Sequence, residues 1–326
     1  MVKKRTVNVG KNKGKIGRPA PDWLQEFNLT NQKLPEIDLN NVVVTDKIMD
    51  PKIDFTFKEL FAHDETNFIN LANAILDLKD DKKIMSVEFL NKEMSKEQKD
   101  DRGAILDVLA RLNNGSYINL EMQYGDHKDF EQRSTFHFSK VFASQLKKND
   151  LFHTLKPVIM VNILNFVLYK DVQYFHTPLI CVDGNHREIR RNPYFEMHFF
   201  EIPKFSKTCY DKTDPQEKWM LFFKEPKEET LKELAMQDAG IARAFENLQI
   251  LSKDPKKRAV YEARKMALLD YQNDMYVNRK EGKEEGIAEG ETRKALEMAR
   301  KLKARKMAIS EIIELTGLTI EQVKQA

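Results

Sequence analysis

Apolar residues return at helical spacing near the start of the chain's ordered pattern. Phe57, Leu60, Phe61, Phe68, Leu71, Ile75 and Leu78 share one face, which predicts an amphipathic helix over residues 56–78. The period then changes. Strand-like runs follow at Ile84–Leu90, Ala104–Leu112, Tyr117–Tyr124 and Pro157–Val167, and Phe195–Ile202 adds a strand at an edge. Between the third and fourth runs, residues 131–148 resume helical spacing. Phe138, Val141, Phe142 and Leu146 mark the stripe expected to be buried, with Arg133, His137, Lys140, Ser144 and Lys147 on the other face. A helix joining two strands is a crossover and implies parallel pairing, so the pattern defines an α/β core covered on both faces.

Residues 1–50 carry Pro19, Pro21 and Pro35 and no sustained period, and read as an N-terminal arm. Its first part is basic, with Lys3, Lys4, Arg5, Lys11, Lys13, Lys15 and Arg18 and no acid among residues 1–18. The core spans residues 51–215. A helical extension over 216–280 offers Trp219, Met220, Leu221 and Phe222 for docking on it. Residues 281–326 begin with EGKEEGIAEGE, where Gly282, Gly286 and Gly290 each cost a helix roughly 1 kcal/mol relative to alanine. Two explanations stand open: a strip cleared for close approach of a second copy's helix, giving a homodimer through the C-terminal helices, or a charged linker. A short helical hairpin closes the chain, with Ser310 as a cap, Gly317 as a stop and Thr319 with Gln322 as a capping box. Its second helix has about six residues, which favours packing or dimerisation over reading bases.

Composition narrows the classes. With 54 basic and 51 acidic residues among 326, the net charge of +3 does not by itself indicate a nucleic-acid partner. The two cysteines, Cys181 and Cys209, have no neighbours at zinc-ligand spacing and fit reduced thiols in a cytoplasmic protein. No apolar stretch follows the N-terminal basic residues. The most apolar run, Val158–Leu168, is short and interrupted by Asn162 and Asn165, so a soluble protein with no membrane partner is expected. No HExxH, phosphate-binding loop or dinucleotide fingerprint occurs.

Candidate chemistry concentrates in AILDVLARLNNGSYINLEMQY, residues 104–124, where one acid interrupts each of two strand-like runs. Period-two alternation puts Tyr117, Asn119, Glu121 and Gln123 on one face. If Asn113–Asn114–Gly115 is a three-residue loop with glycine in the left-handed position, Leu112 faces Ser116 and Asp107 lies opposite Glu121. Opposed residues have Cβ atoms about 4.5–5.5 Å apart, so the two carboxylates repel unless a proton or cation neutralises them. An oxygen-only pair on a rigid sheet suits Mg²⁺ or Mn²⁺. A two-residue Asn114–Gly115 turn would instead send the acids to opposite faces.

The order of elements, with an Asp on one strand and E-x-Q on the next, resembles the PD-(D/E)xK nuclease superfamily. More narrowly, the chain is similar to the recombination-promoting nuclease and putative transposase family. The matching residues are KIDFTFKELF (52–61), ILDV (105–108), NLEMQ (119–123), the Arg133–Leu146 helix, and the EG repeats followed by LTGLTIEQV (315–323). The resemblance implies a restriction-endonuclease-like mixed sheet flanked by helices, with an α-helical C-terminal region. It implies Asp107 and Glu121 as metal ligands and Asp54 as a further acid, although Asp54 equally fits a helix N-cap. The superfamily's third motif usually carries lysine where this chain has Gln123. A neutral amide orients water but supplies no positive charge, so the ammonium is expected from Lys140 or, failing that, Lys58.

The expected activity is metal-dependent hydrolysis of DNA, with Mg²⁺, or Mn²⁺ in its place, held by Asp107 and Glu121 and with Gln123 orienting the water. Arg133, His137 and Lys147 either track the DNA backbone or form a solvated face. The competing functions are a non-catalytic DNA-binding or assembly protein on the same fold, and a transposase that transfers strands.

Overall fold

Asp64 divides the first helical segment in two. In the computed structural model, which describes residues 47–90, 107–125, 129–186 and 191–326, α1 spans Asp54–Phe61 and α2 spans Glu65–Ile75. Asp64 Oδ1 accepts from Asn67 N at 2.9 Å, satisfying an orphan donor and starting a new helix, so the single helix expected over 56–78 is corrected. Asp54 is the first helical residue of α1, and the N-cap is Ile53 with no side-chain bond, so the capping role considered for Asp54 is not observed. Most of the basic arm, and the strand start at 104–106, lie outside the described residues.

The sheet contains β1 (Val87–Phe89), β2 (Val108–Leu112), β3 (Tyr117–Gln123), β4 (Val158–Leu164), β5 (His176–Val182) and β6 (Arg191–Glu201), ordered β1-β2-β3-β4-β6-β5. β3 pairs with β4, and β4 with β6, in parallel; the other pairs are antiparallel. The expected edge strand at 195–202 therefore lies inside the sheet as β6. The edge is β5, whose Pro178 is tolerated because an edge strand leaves one side of its backbone unpaired.

The β2–β3 hairpin has the three-residue loop. Gly115 sits at φ +84, its N–H donates to Leu112 O at 2.8 Å, and Leu112 N donates to Ser116 O at 2.8 Å. Val108 then pairs with Leu120, and the same register continued by one residue sets Asp107 against Glu121. A Cβ at Gly115 would meet only ordinary contact with Lys156, 3.5 Å away, so the cost of substitution is backbone strain. Gly115→Ala is expected to destabilise the fold by about 1–2 kcal/mol, read as a lowered urea midpoint with an unchanged slope.

Each sheet face has its own core. On one, Val108, Ala110, Leu112, Ile118, Leu120, Met122, Val161, Ile163 and Phe200 pack against α1, α2 and the later helices α4 (Pro215–Lys224), α5 (Glu228–Ala235) and α6 (Ala239–Lys253). Trp219 of α4 is buried there, with ring centroids 6.0 Å from Phe61 and 5.2 Å from Phe222. On the other face, Leu109, Val158, Met160, Leu164, Met197 and Phe199 pack against Phe130, Phe138 and Val141 of α3 (Phe130–Ser144).

Helix α7 (Pro255–Ala304) runs unbroken through Gly282, Gly286 and Gly290, so the linker explanation is corrected to helix, and nothing lies within 4 Å of a Cβ at any of the three. Beyond it, α8 (Ile309–Thr316) and α9 (Ile320–Gln325) close a small cluster of Ala299, Ile312, Leu318 and Val323. Gly317 ends α8 at φ +69, and Thr319 and Gln322 form the capping box. The N-cap of α8 is Ala308, without a side-chain bond, so the cap expected of Ser310 is not observed. Among the described residues no helix is long and apolar enough to cross a membrane.

Candidate active site

The polar face of β3 is covered rather than solvated. Asn119 and Glu121 are aligned with Met160 and Asn162 of β4, so three polar side chains share this face beneath α3. Helix α3 meets them with polar groups of its own. Ser134 Oγ donates to Asn162 Oδ1 at 3.1 Å, and His137 Nδ1 lies 2.8 Å from Glu121 Oε1. The buried residues of α3 are Phe130, Ser134, His137, Phe138 and Val141, spaced three and four apart as one face. His137 is only 4% exposed, which corrects its placement on a DNA-facing surface. Arg133 is exposed as expected. Lys147 is also exposed but lies past the end of α3, in a turn where its N–H donates to Asp150 Oδ2 at 2.7 Å.

Glu121 is 1% exposed, and its two oxygens differ. Oε1 accepts from Asn119 Nδ2 at 3.0 Å and faces His137 Nδ1, whereas Oε2 is buried with no hydrogen-bond partner among the described residues. The Asn119 Oδ1 atom is likewise buried and unpartnered. Buried acceptors without a donor are costly unless water or a cation serves them.

Asp107 stands where β2 begins, within reach of α1 on the opposite face. Its Oδ1 is 3.0 Å from Lys58 Nζ and its Oδ2 accepts from Met122 N at 3.0 Å. Burial raises the Asp107 pKa and the Glu121 charge adds to that, against the opposing pull of Lys58 and the Met122 N–H. Burial works to lower the Lys58 pKa, but Asp107 and then Asp54, one helical turn earlier, outweigh it, and the net shift is upward. Lys58 is thus held as an ammonium beside both acids. Lys58 places an ammonium at Asp107, and Lys140 has its Nζ 5.0 Å from the Phe136 ring centroid. Gln123 follows Glu121 on the same face of β3 and is half-buried.

The donor set suits a hard divalent cation. Its oxygens come from Glu121 on β3 and from Asp107 just before β2, and Glu121 Oε2 is buried with no hydrogen-bond partner among the described residues. Among the described residues no three His, Cys, Asp or Glu side chains gather as a protein cage. Mg²⁺ characteristically uses one or two carboxylates and completes its shell with water and substrate phosphate, so the pair is sufficient in kind.

Asn119, Ser134 and Asn162, which the sequence pattern did not assign to the site, form a buried polar layer with His137, which was expected on an exposed DNA-facing surface. One signal was present. Asn162 interrupts an apolar strand just as Glu121 does, and the two are partners in the parallel ladder.

A mixed sheet covered by helices, with an acid at the start of one strand and E-x-Q on the next, defines an α/β protein of the restriction-endonuclease-like class. Residues 51–277, well over half of the chain, match the family model described as PD-(D/E)XK nuclease family transposase, and the chain belongs to that family. No curated protein and no solved structure matches it. Membership carries a nuclease- or transposase-related function with DNA as the implied substrate, in a superfamily that generally uses divalent metals.

Proposed function

We propose that the chain is a metal-dependent DNA endonuclease that hydrolyses phosphodiester bonds during recombination or movement of DNA. The observation that supports this is the register of β2 and β3, which, continued one residue past Val108–Leu120, opposes Asp107 to Glu121 beside the Lys58 ammonium, with Glu121 Oε2 buried and unpartnered among the described residues. Asp107 and Glu121 are the residues that would hold Mg²⁺, or Mn²⁺ in its place. When bound, the cation supplies an acidified water and neutralises charge at the phosphate.

The chain's own groups do the rest. Lys58 stabilises the charge that develops on the attacked phosphate, which the Gln123 amide cannot do, and Asp54 helps to keep Lys58 protonated. Gln123 orients the water. The exposed Arg133 and Lys147 provide salt-dependent, sequence-independent contacts to the DNA backbone. A second copy of the chain would pack along the open glycine strip of α7, near the exposed Met275 and Ile287.

Cleavage of supercoiled plasmid tests the assignment of the ammonium. Lys58→Met is expected to slow cleavage by about a hundredfold or more, the scale of losing one charge-stabilising group, while Lys140→Ala changes it little. The reverse pattern would move the role to Lys140. Strand transfer is the second reading, favoured by the transposase in the family's description. Products with joined strands, rather than nicked or linear DNA, would establish it over hydrolysis.

A further inference from the structure

We infer that His137 is a positioning residue that sets the carboxylate plane of Glu121 so that Oε2 is the oxygen offered to a divalent cation. The inference rests on the metal-nuclease function proposed above and adds a group outside the acids and lysine of the motif. Two donors converge on one oxygen: Asn119 Nδ2 at 3.0 Å and His137 Nδ1 at 2.8 Å both address Oε1. With Glu121 ionised, its oxygens only accept, so the His137 Nδ1 atom at that contact carries the hydrogen. Oε2, by contrast, is equally enclosed and has no protein partner among the described residues.

This asymmetry has a structural origin. Asn119 lies two residues before Glu121 on the same strand face, whereas His137 reaches down from α3. The helix is held over the strand by Ser134 Oγ donating to Asn162 Oδ1, three residues before His137 on the same buried face. Asn162 is in turn fixed by its Nδ2 donating to His198 O at 3.2 Å. A carboxylate clamped at one oxygen cannot rotate to spread both oxygens among donors, so the other oxygen stays directed at its ligand. Hydrogen-bonded partners of ligating groups characteristically act this way, and losing one weakens metal affinity about 10–100-fold.

The test measures Mn²⁺ binding to the full chain without DNA, by electron paramagnetic resonance of the free ion, for wild type, His137→Ala, His137→Asn and Asp107→Ala. Melting temperatures are recorded for each. The Asn side chain offers an amide nitrogen at the branch position that Nδ1 occupies, so it can restore the donor without the ring. The expected result is a roughly tenfold or larger loss of Mn²⁺ affinity in His137→Ala, with most of it recovered in His137→Asn. A merely structural histidine would change melting temperature alone. Wild-type affinity in a folded His137→Ala overturns the inference and leaves the metal-nuclease proposal standing. Equal losses in the Ala and Asn variants also overturn it, because the donor is then irrelevant. Wild type that binds Mn²⁺ no better than Asp107→Ala overturns both.

Discussion

Asp107→Asn is expected to abolish cleavage while making the metal-free protein more stable. The activity loss, about a hundredfold to a thousandfold or beyond, follows from removing a charged ligand where phosphate charge is neutralised. The gain in stability follows from the direction of the Asp107 pKa. Burial, with the Glu121 charge, raises it despite the Lys58 ammonium and the Met122 N–H. The folded state therefore holds the proton more tightly than the unfolded chain does. Stability from the neutral form is fully present below the unfolded carboxyl pKa and is lost as pH rises through the folded value. Above that folded value the ionised Asp107 costs stability, and a neutral isostere relieves that cost. Melting in EDTA as pH is raised should show the Tm of Asp107→Asn overtaking that of wild type once Asp107 ionises. Added Mg²⁺ should then raise the wild-type Tm and leave the variant's unchanged, since binding to the native state alone stabilises it. A variant that melts below wild type in EDTA throughout would mean that the Lys58–Asp107 pair outweighs the burial cost.

Trp219→Ala should have the largest effect on folding. The side chain is 1% exposed and packs edge-on against Phe61 of α1 and Phe222 of its own helix, within the core that also covers β2 and β3. Removing a buried aromatic of this size leaves a cavity as well as lost burial, and the cost is about 3–5 kcal/mol. Urea unfolding followed by circular dichroism should show one cooperative transition moved to lower denaturant. A loss below about 1 kcal/mol would mean that α4 docks loosely and that the active-site sheet folds without it.

The hairpin was the most legible part of the site. The turn residues and period-two alternation reduced the register to two choices, a three-residue Asn113–Asn114–Gly115 loop or a two-residue Asn114–Gly115 turn, and the structure has the former, whose register continued by one residue sets Asp107 against Glu121. The α/β class and the presence of parallel pairing were legible because a crossover helix lies between two strands, whereas which strands pair in parallel, β3 with β4 and β4 with β6, was not. Helix α3 was misread because polarity was equated with solvent. Ser134 and His137 sit among Phe130, Phe138 and Val141 on the buried face, where they match the polar Asn119, Glu121 and Asn162 of the sheet. A polar strand face covered by a helix requires polar groups from that helix, and this complementarity was the missed signal. Strand β5 was missed because an edge strand with Pro178 and several exposed residues lacks the apolar alternation of an inner one. That Lys58 pairs with Asp107 depends on which helix approaches the start of β2, a tertiary fact that spacing along the chain does not contain.

The most direct test of the metal-nuclease proposal is incubation of purified wild-type protein with supercoiled plasmid in Mg²⁺ or Mn²⁺, against EDTA and against Asp107→Ala, with each fold checked by circular dichroism. Nicked and linear DNA are expected only where both the metal and Asp107 are present. Intact plasmid with folded wild type in either metal, or cleavage that persists in EDTA, would contradict it.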